Sequence, residues 1–187
     1  MHMPAFRRRW TVDDLQDLPD DGQRYEVIDG ELFVTPAPSF RHQRALSVLF
    51  RIIADYLDKE RVGYVYFAPA DVIFSPKRAV QPDIFVVPGV DGRSPESFQE
   101  AKRLLLAIET LSPNTARLDR VVKRVLYRDE GVLEFWIVDL DSRTFERSTP
   151  ADARVEVLDE RIEWMLAGAS APLVIDVVAY FAQVLEG

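Results

Sequence analysis

The chain contains no cysteine and only two histidines, His2 and His42. Disulfides and thiolate metal ligands are therefore excluded, and a zinc site would lack its usual ligands. A metal bound here should be a hard cation held by oxygen, meaning magnesium, manganese or calcium. The sequence also lacks an apolar run of about 18 residues, and its N-terminal arginines are not followed by the apolar segment of a secretory signal. We therefore expect a soluble, cytoplasmic protein without a membrane segment.

Basic residues are in deficit, with 23 Lys and Arg against 31 Asp and Glu and a formal net charge of -8. This charge repels a polyanion at long range and counts against nonspecific DNA binding. It does not exclude binding, because divalent cations neutralise local carboxylates and basic residues can cluster on one face. The 187 residues are 48% hydrophobic and contain no repeat or linker. They predict a single domain over residues 1–187, with residues 1–9 as a flexible arm.

Two segments have the apolar spacing of helices. The first covers residues 39–61, with Gly63 as its stop, and places His42 on the buried stripe. His42 is then either a hydrogen-bonded core residue or a wall of a cleft. The second runs from about residue 115 to residue 130, and its predicted core stripe is Leu118, Val121, Val122, Val125 and Leu126.

Asp119 and Lys123 lie four residues apart at the edge of this second stripe. One interpretation is a surface ion pair worth a few tenths of a kcal/mol. The alternative is that Lys123 extends along the helix flank and places its ammonium group in a cleft.

Strands are predicted around these helices. Asp29 and Gly30 form the expected turn of a hairpin whose two strands carry Glu26 and Glu31. Further strands are expected at residues 64–67, 71–74, 83–87, 104–110 and 133–138. An outer meander at 145–147, 154–158 and 161–165 and a closing helix at 175–185 are expected to follow. This alternation predicts an α/β or α+β domain with a mixed central β-sheet flanked by helices.

Charged residues occur at the ends of the most apolar segments. Asp83 opens one apolar run, Glu109 closes another, and Lys123 follows in the second helix. Buried charges are rare unless they are paired or bound to metal. The three residues are therefore either ordinary strand-end charges or a divalent-cation site with a lysine beside it.

The sequence resembles the Uma2 family within the PD-(D/E)XK nuclease superfamily. The resemblance covers most of the chain in the order of the family and rests on residues 24–32, 38–39, 42–43, 70–72, 81–83, 108–109, 111–113, 119–123, 127, 131–132 and 134–139. Each piece alone is weak evidence, whereas the ordered set is specific.

The resemblance implies a restriction-endonuclease-like core and hydrolysis of phosphodiester bonds in DNA with Mg²⁺ or Mn²⁺. Asp83 would supply the first metal carboxylate and Glu109 the second. The lysine expected two residues after Glu109 is Leu111. The resemblance therefore implies a displaced lysine, with Lys123 in its place.

Three further expectations concern the surroundings of this site. His42 should line the same cleft and join the catalytic set. One hairpin glutamate should approach the metal, and Glu31 is favoured over Glu26 because its strand leads directly into the helix of His42. A homodimer is plausible because cleavage of both DNA strands needs two sites. The alternative function is a nuclease-like fold that binds nucleic acid or protein without turnover.

Overall fold

The computed structural model describes residues 9–152 and 154–186, so the arm predicted for residues 1–9 lies almost entirely outside the described residues. In chain order the strands are β1 (Arg24–Ile28), β2 (Glu31–Thr35), β3 (Tyr64–Phe67), β4 (Val72–Ser75), β5 (Arg78–Val80), β6 (Ile84–Val87), β7 (Leu106–Thr110), β8 (Glu134–Asp139), β9 (Thr144–Ser148), β10 (Glu156–Leu158), β11 (Arg161–Trp164) and β12 (Leu173–Asp176). The helices are α1 (Phe40–Glu60), α2 (Phe98–Ala101), α3 (Arg124–Asp129) and α4 (Val177–Leu185), with a 3₁₀ turn at Asp13–Asp17 and a π-helical segment, Leu118–Lys123, directly before α3.

A six-stranded mixed sheet runs through the centre in the order β10-β9-β8-β7-β6-β3. The β7–β8 pair is parallel, whereas the other neighbouring strands are antiparallel. Every residue of β7 is buried, as expected for a nearly continuous apolar strand covered on both faces. The predicted fold class, a mixed central sheet flanked by helices, is confirmed.

Helices α1 and α4 cover one face of this sheet. Leu49 and Ile53 of α1 belong to the same apolar cluster as Ile84 and Leu106 of the sheet. The helix ends at Glu60, and its C-cap residue Arg61 adopts the left-handed conformation with φ 56°, so the predicted stop at Gly63 is wrong. Gly63 has a different role, because a Cβ at this position would lie 2.9 Å from the carbonyl oxygen of Val87.

The opposite face is covered by α3 and by a second, antiparallel sheet of order β2-β1-β5-β4. The predicted hairpin is confirmed, with Asp29 and Gly30 both at positive φ, as a two-residue hairpin turn of this type requires. Strand β5, which the sequence did not predict, joins β1 to β4. This second sheet brings β1 over the end of the central sheet.

The predicted closing helix at residues 175–185 is wrong at its start. Residues Leu173–Asp176 form β12, which pairs with β11 in a separate two-stranded sheet. The Asp176 carboxylate accepts a hydrogen bond from the backbone N–H of Ala179 and so fixes the beginning of α4. Among the described residues, no helix has the length and apolarity needed to cross a membrane.

The core stripe predicted before Gly131 is also wrong in part. Val121 and Val125 are 55% and 43% exposed, whereas Asp119 and Lys123 are buried. The reason is the π-helical segment, whose hydrogen bonds span one residue more than those of an α-helix and so change which side chains face the sheet. Two charged residues therefore face the protein interior where valines were expected.

Candidate active site

Asp83 and Glu109 occupy neighbouring positions at one end of the central sheet. Ile84 pairs with Ile108 in the antiparallel β6–β7 ladder, so the same register places Asp83 opposite Glu109. Directly opposite residues of an antiparallel pair share a face, with their Cβ atoms roughly 5 Å apart. The backbone N–H of Thr110 donates a 2.8 Å hydrogen bond to Asp83 Oδ2. The strand ends therefore bring together two carboxylates that are each only 2% exposed.

Lys123 reaches this pair from the π-helical segment. Its Nζ lies 2.8 Å from Glu109 Oε1, 2.9 Å from Glu26 Oε1 and 3.9 Å from Asp119 Oδ1. The interpretation of Lys123 and Asp119 as a surface ion pair is wrong, because both are buried and this is the longest of the three separations. The ammonium group of Lys123 lies beside Glu109 near the end of β7, the strand that precedes its helix, as the alternative interpretation predicted.

Glu26 is the hairpin glutamate that joins the cluster. It is buried in β1, and its Oε1 accepts a 2.8 Å hydrogen bond from the backbone N–H of Gln81. Glu31 is exposed and pairs with Ile28 beside the turn, two positions farther along the hairpin than Glu26. The preference for Glu31 was therefore wrong, because its rung of the hairpin lies beyond the buried cluster.

Asp83 is also contacted from the other side by His42 and Arg24. Ser39 caps α1 by accepting a hydrogen bond from the backbone N–H of His42, which fixes the first turn of the helix beside Asp83. His42 Nε2 lies 3.1 Å from Asp83 Oδ2 and makes no hydrogen bond to a described residue. Arg24 Nη1 donates to Asp83 Oδ1 over 2.6 Å. His42 thus lines the predicted cleft.

Arg24 and Tyr127 were not assigned a role from the sequence. Tyr127 donates a 2.9 Å hydrogen bond to Glu109 Oε1, the same oxygen that accepts from Lys123. Both residues lie within the matching segments of the family resemblance, which was the available signal. Their contacts could not be predicted because they depend on how the second sheet and α3 pack over the central one.

The buried cluster has more acids than cations. Four buried carboxylates surround Lys123 and Arg24, those of Glu26, Asp83, Glu109 and Asp119. If all four are ionised, the two cations leave a formal excess of two negative charges. An excess of this kind in a desolvated site is unfavourable unless protons or a cation neutralise it.

The pKa values of the acids differ with their partners. Burial raises the pKa of Asp83, but His42, Arg24 and the N–H of Thr110 outweigh it and bring the pKa to about 2. Burial raises the pKa of Glu109 well above its ordinary value. The charge of Lys123 lowers this pKa, but the charges of Asp83, Asp119 and Glu26 raise it further. Burial likewise raises the pKa of Asp119 to about 6, although Lys123 opposes the shift. Lys123 itself has a raised pKa, because its three carboxylate neighbours outweigh the effect of burial.

The cluster lies at the base of an open cavity of about 440 Å³. Arg41 and Arg120 line its wall and are partly exposed. Arg41 pairs with Asp141, and Arg120 pairs with Asp139 and Glu146. The buried hydroxyl of Thr110 also lines the cavity and finds no hydrogen-bond partner in the described part of the chain. The cavity therefore contains both cations at its wall and unsatisfied polar atoms at its base.

Asp83 and Glu109 are suitable ligands for a hard divalent cation, and the excess negative charge of the cluster favours one. In the residues described, however, no group of three or more acidic or histidine side chains has the arrangement of a metal site. Lys123 and Arg24 contact the oxygens that a metal would use. The two carboxylates are of the type that binds such an ion, but Lys123 and Arg24 would have to move before it could bind.

One solved structure with the same fold is described as a "putative nuclease belonging to DUF820" from Anabaena variabilis. It is 22% identical in sequence, with a TM-score of 0.77 over 94% of this chain and 99% of that chain. No curated protein shows a significant match.

A protein-family comparison covers most of the described residues. The profile of the Uma2 family, described as "Putative restriction endonuclease", matches residues 12–175. This match supports a nuclease-like role. Because it spans far more than half of the 187 residues, the chain belongs to the Uma2 family.

Proposed function

We propose that this protein is an endonuclease that hydrolyses phosphodiester bonds in DNA with the help of Mg²⁺ or Mn²⁺. The observation that carries the proposal is the position of Asp83, Glu109 and Lys123 at the base of one cavity. The two carboxylates would hold the cation, with Glu26 close enough to Lys123 to adjust the charge around it. Membership of a family with a nuclease-like role supports the same reaction class.

A divalent cation at this position would stabilise the negative charge that develops on the phosphate oxygens and would acidify the attacking water. Lys123 is oriented by Glu109 and would either position that water or neutralise a phosphate oxygen. His42 Nε2 is available beside Asp83 to accept or donate a proton. Tyr127 would hold Glu109 in place through its hydroxyl.

The test is a cleavage assay on supercoiled plasmid, linear duplex DNA, single-stranded DNA and RNA, with Mg²⁺ or Mn²⁺ and an EDTA control. We expect metal-dependent cleavage that Asp83→Asn and Glu109→Gln abolish. Glu134→Gln is the matched control, because Glu134 is a partly buried strand residue outside the cavity. Its carboxylate accepts a hydrogen bond from the indole N–H of Trp136. If the purified protein cuts none of these substrates with either metal, the enzymatic proposal fails. A linear product from plasmid would indicate cleavage of both strands, as expected of a dimer with two sites.

A second candidate is binding without turnover. It is favoured by the present contacts of the site, in which Arg24 pairs with Asp83 and Lys123 with Glu109. A protein of this kind would retain a short oligonucleotide in the presence of EDTA and release it when Arg41 and Arg120 are both replaced by glutamine. Metal-independent retention together with no cleavage would favour this candidate over the endonuclease.

A further inference from the structure

Arg24 has an incomplete set of contacts for a guanidinium group beside a carboxylate. Its Nη1 donates to Asp83 Oδ1 over 2.6 Å and to the carbonyl oxygen of Gln81 over 3.3 Å. Its Nε is buried and makes no hydrogen bond to any described residue. Arginine and carboxylate commonly form two parallel hydrogen bonds, which this arrangement lacks. The geometry therefore leaves donor capacity on Arg24 that Asp83 does not use.

Arg24 binds the Asp83 oxygen whose hydrogen-bond donor can move away more easily. Asp83 Oδ2 accepts from the backbone N–H of Thr110, which β7 holds in place. Oδ1 is bound instead by a flexible side chain that lines the cavity and keeps 16% of its surface exposed. A cation that binds Asp83 therefore competes with Arg24 more directly than with Thr110.

Lys123 is not equivalent to Arg24 in this respect. It is 3% exposed and lies within 4 Å of three carboxylates, so the loss of one contact leaves the others. Arg24, in contrast, has one carboxylate within ion-pair distance among the described residues. A displaced Arg24 would lose its one close ion pair and keep only the more distant attraction of Glu109 and Glu26. A phosphodiester that enters the cavity offers oxygens matched to its planar donors.

We propose that Arg24 is a substrate-binding residue that Asp83 holds until a divalent cation displaces it, after which the guanidinium binds a non-bridging oxygen of the substrate phosphate. The inference rests on the proposed function and adds to it a residue and a coupling. Because metal frees Arg24 and phosphate retains it, the two ligands strengthen each other's binding. Linkage requires that the coupling be reciprocal.

The test is calorimetric titration of the metal-free protein with Mn²⁺, with and without a hydrolysis-resistant phosphorothioate dinucleotide of thymidine. In the wild type, we expect the dinucleotide to tighten Mn²⁺ binding by about tenfold, a usual size for such coupling. Arg24→Met should bind Mn²⁺ several-fold more tightly without the dinucleotide, because the competitor is gone. The dinucleotide should no longer tighten Mn²⁺ binding to this variant, because the guanidinium group that binds the phosphate is gone.

Two variants complete the design. Arg24→Lys keeps a cation beside Asp83 but not the planar fork, so its Mn²⁺ affinity should remain near that of the wild type while the coupling falls. It also carries the test if Arg24→Met does not fold. Arg78→Met is the matched control, because Arg78 lies in the same sheet and pairs with Asp29 and Glu130 outside the cavity. Its Mn²⁺ affinity and coupling should not change.

The outcomes separate this inference from the proposed function. If the wild type binds Mn²⁺ and Arg24→Met binds it no more tightly, or retains the full coupling, then Arg24 is not the proposed phosphate-binding residue. The endonuclease proposal is unaffected by that result. If neither protein binds Mn²⁺, both proposals are wrong.

Discussion

Lys123 donates a 2.8 Å hydrogen bond to Oε1 of Glu109, a residue 14 positions earlier in the chain. The superfamily pattern that the sequence resembles has a lysine two residues after this glutamate, where the chain has Leu111. The π-helical segment that follows β7 thus supplies the ammonium group beside Glu109, which β7 itself does not provide. This contact makes Lys123 both a structural counterion and a candidate for catalysis, and the two roles have different consequences.

Lys123→Met should destabilise the metal-free protein. The substitution keeps the packed stem but leaves Glu26, Glu109 and Asp119 without their shared cation, and removal of one partner from a buried ion pair typically costs about 3 kcal/mol or more. The expected loss is measured by urea unfolding in EDTA. Cleavage at saturating Mn²⁺ should fall by about 10²-fold or more, since a preorganised electrostatic group is lost.

The control for this substitution is Lys59→Met. Lys59 is a largely exposed lysine whose ammonium group lies 3.7 Å from Glu60, so its replacement should change the free energy of unfolding by under about 1 kcal/mol. Cleavage by Lys59→Met should equal that of the wild type. Wild-type cleavage by Lys123→Met, in contrast, would remove Lys123 from the catalytic set.

Tyr127→Phe tests whether the hydroxyl on Glu109 matters for function. The variant loses one buried hydrogen bond, which should cost about 1 kcal/mol of stability. Tyr180→Phe removes a similar buried hydroxyl, which donates to the carbonyl oxygen of Ala45. Both variants should show comparable losses in urea unfolding, but only Tyr127→Phe should weaken Mn²⁺ binding. Equal Mn²⁺ affinities in the two variants would assign Tyr127 a structural role alone.

Asp119→Asn should change the pH dependence of stability. Because burial raises the pKa of Asp119 to about 6, the folded state holds its proton more tightly than the unfolded state does. The contribution to stability is full below about pH 4 and is lost as the pH rises through 6. The difference between the ordinary pKa of 3.8 and about 6 corresponds to roughly 3 kcal/mol. Urea unfolding of wild type and variant from pH 4 to 7 should reveal this change, and a constant difference between them would contradict it.

Removal of metal should lower the melting temperature. A cation that binds only the folded state adds about 2.7 kcal/mol when present at 100 times its dissociation constant. We therefore expect Mn²⁺ to raise the melting temperature of the wild type and EDTA to reverse the effect. Asp83→Asn should abolish the rise, because its amide keeps the shape of the side chain without the charge. An equal rise in this variant would place the metal elsewhere.

Much of the fold could be predicted because its signals are local. The Asp29-Gly30 turn and the apolar run that ends at Glu109 each identify their element within a few residues. Strand β5 was missed because it is three residues long and is stabilised by β1 and β4, which lie far from it in sequence. The choice between Glu26 and Glu31 failed for a similar reason, since it depends on which rung of the hairpin lies over the central sheet.

The buried ion cluster could be predicted only in part. Asp83 and Glu109 are identifiable because each stands at the end of an apolar run, but Arg24 and Asp119 give no such signal. Their positions follow from the packing of the second sheet and from the π-helical segment. The metal ligation of Asp83, Glu109 and Glu26 and the catalytic roles of Lys123 and His42 remain predictions for the experiments above.

The π-helical segment Leu118–Lys123 also limits how the sequence can vary. A π-turn contains one residue more than the α-turn it replaces, so deletion of one residue within it could restore an ordinary α-helix. Helical propensity would not oppose that change. The deletion would nevertheless alter the register between Asp119 and Tyr127 and rotate their side chains relative to each other. A deletion in this segment should therefore preserve a helix but disrupt the contacts of Lys123 and Tyr127 with Glu109.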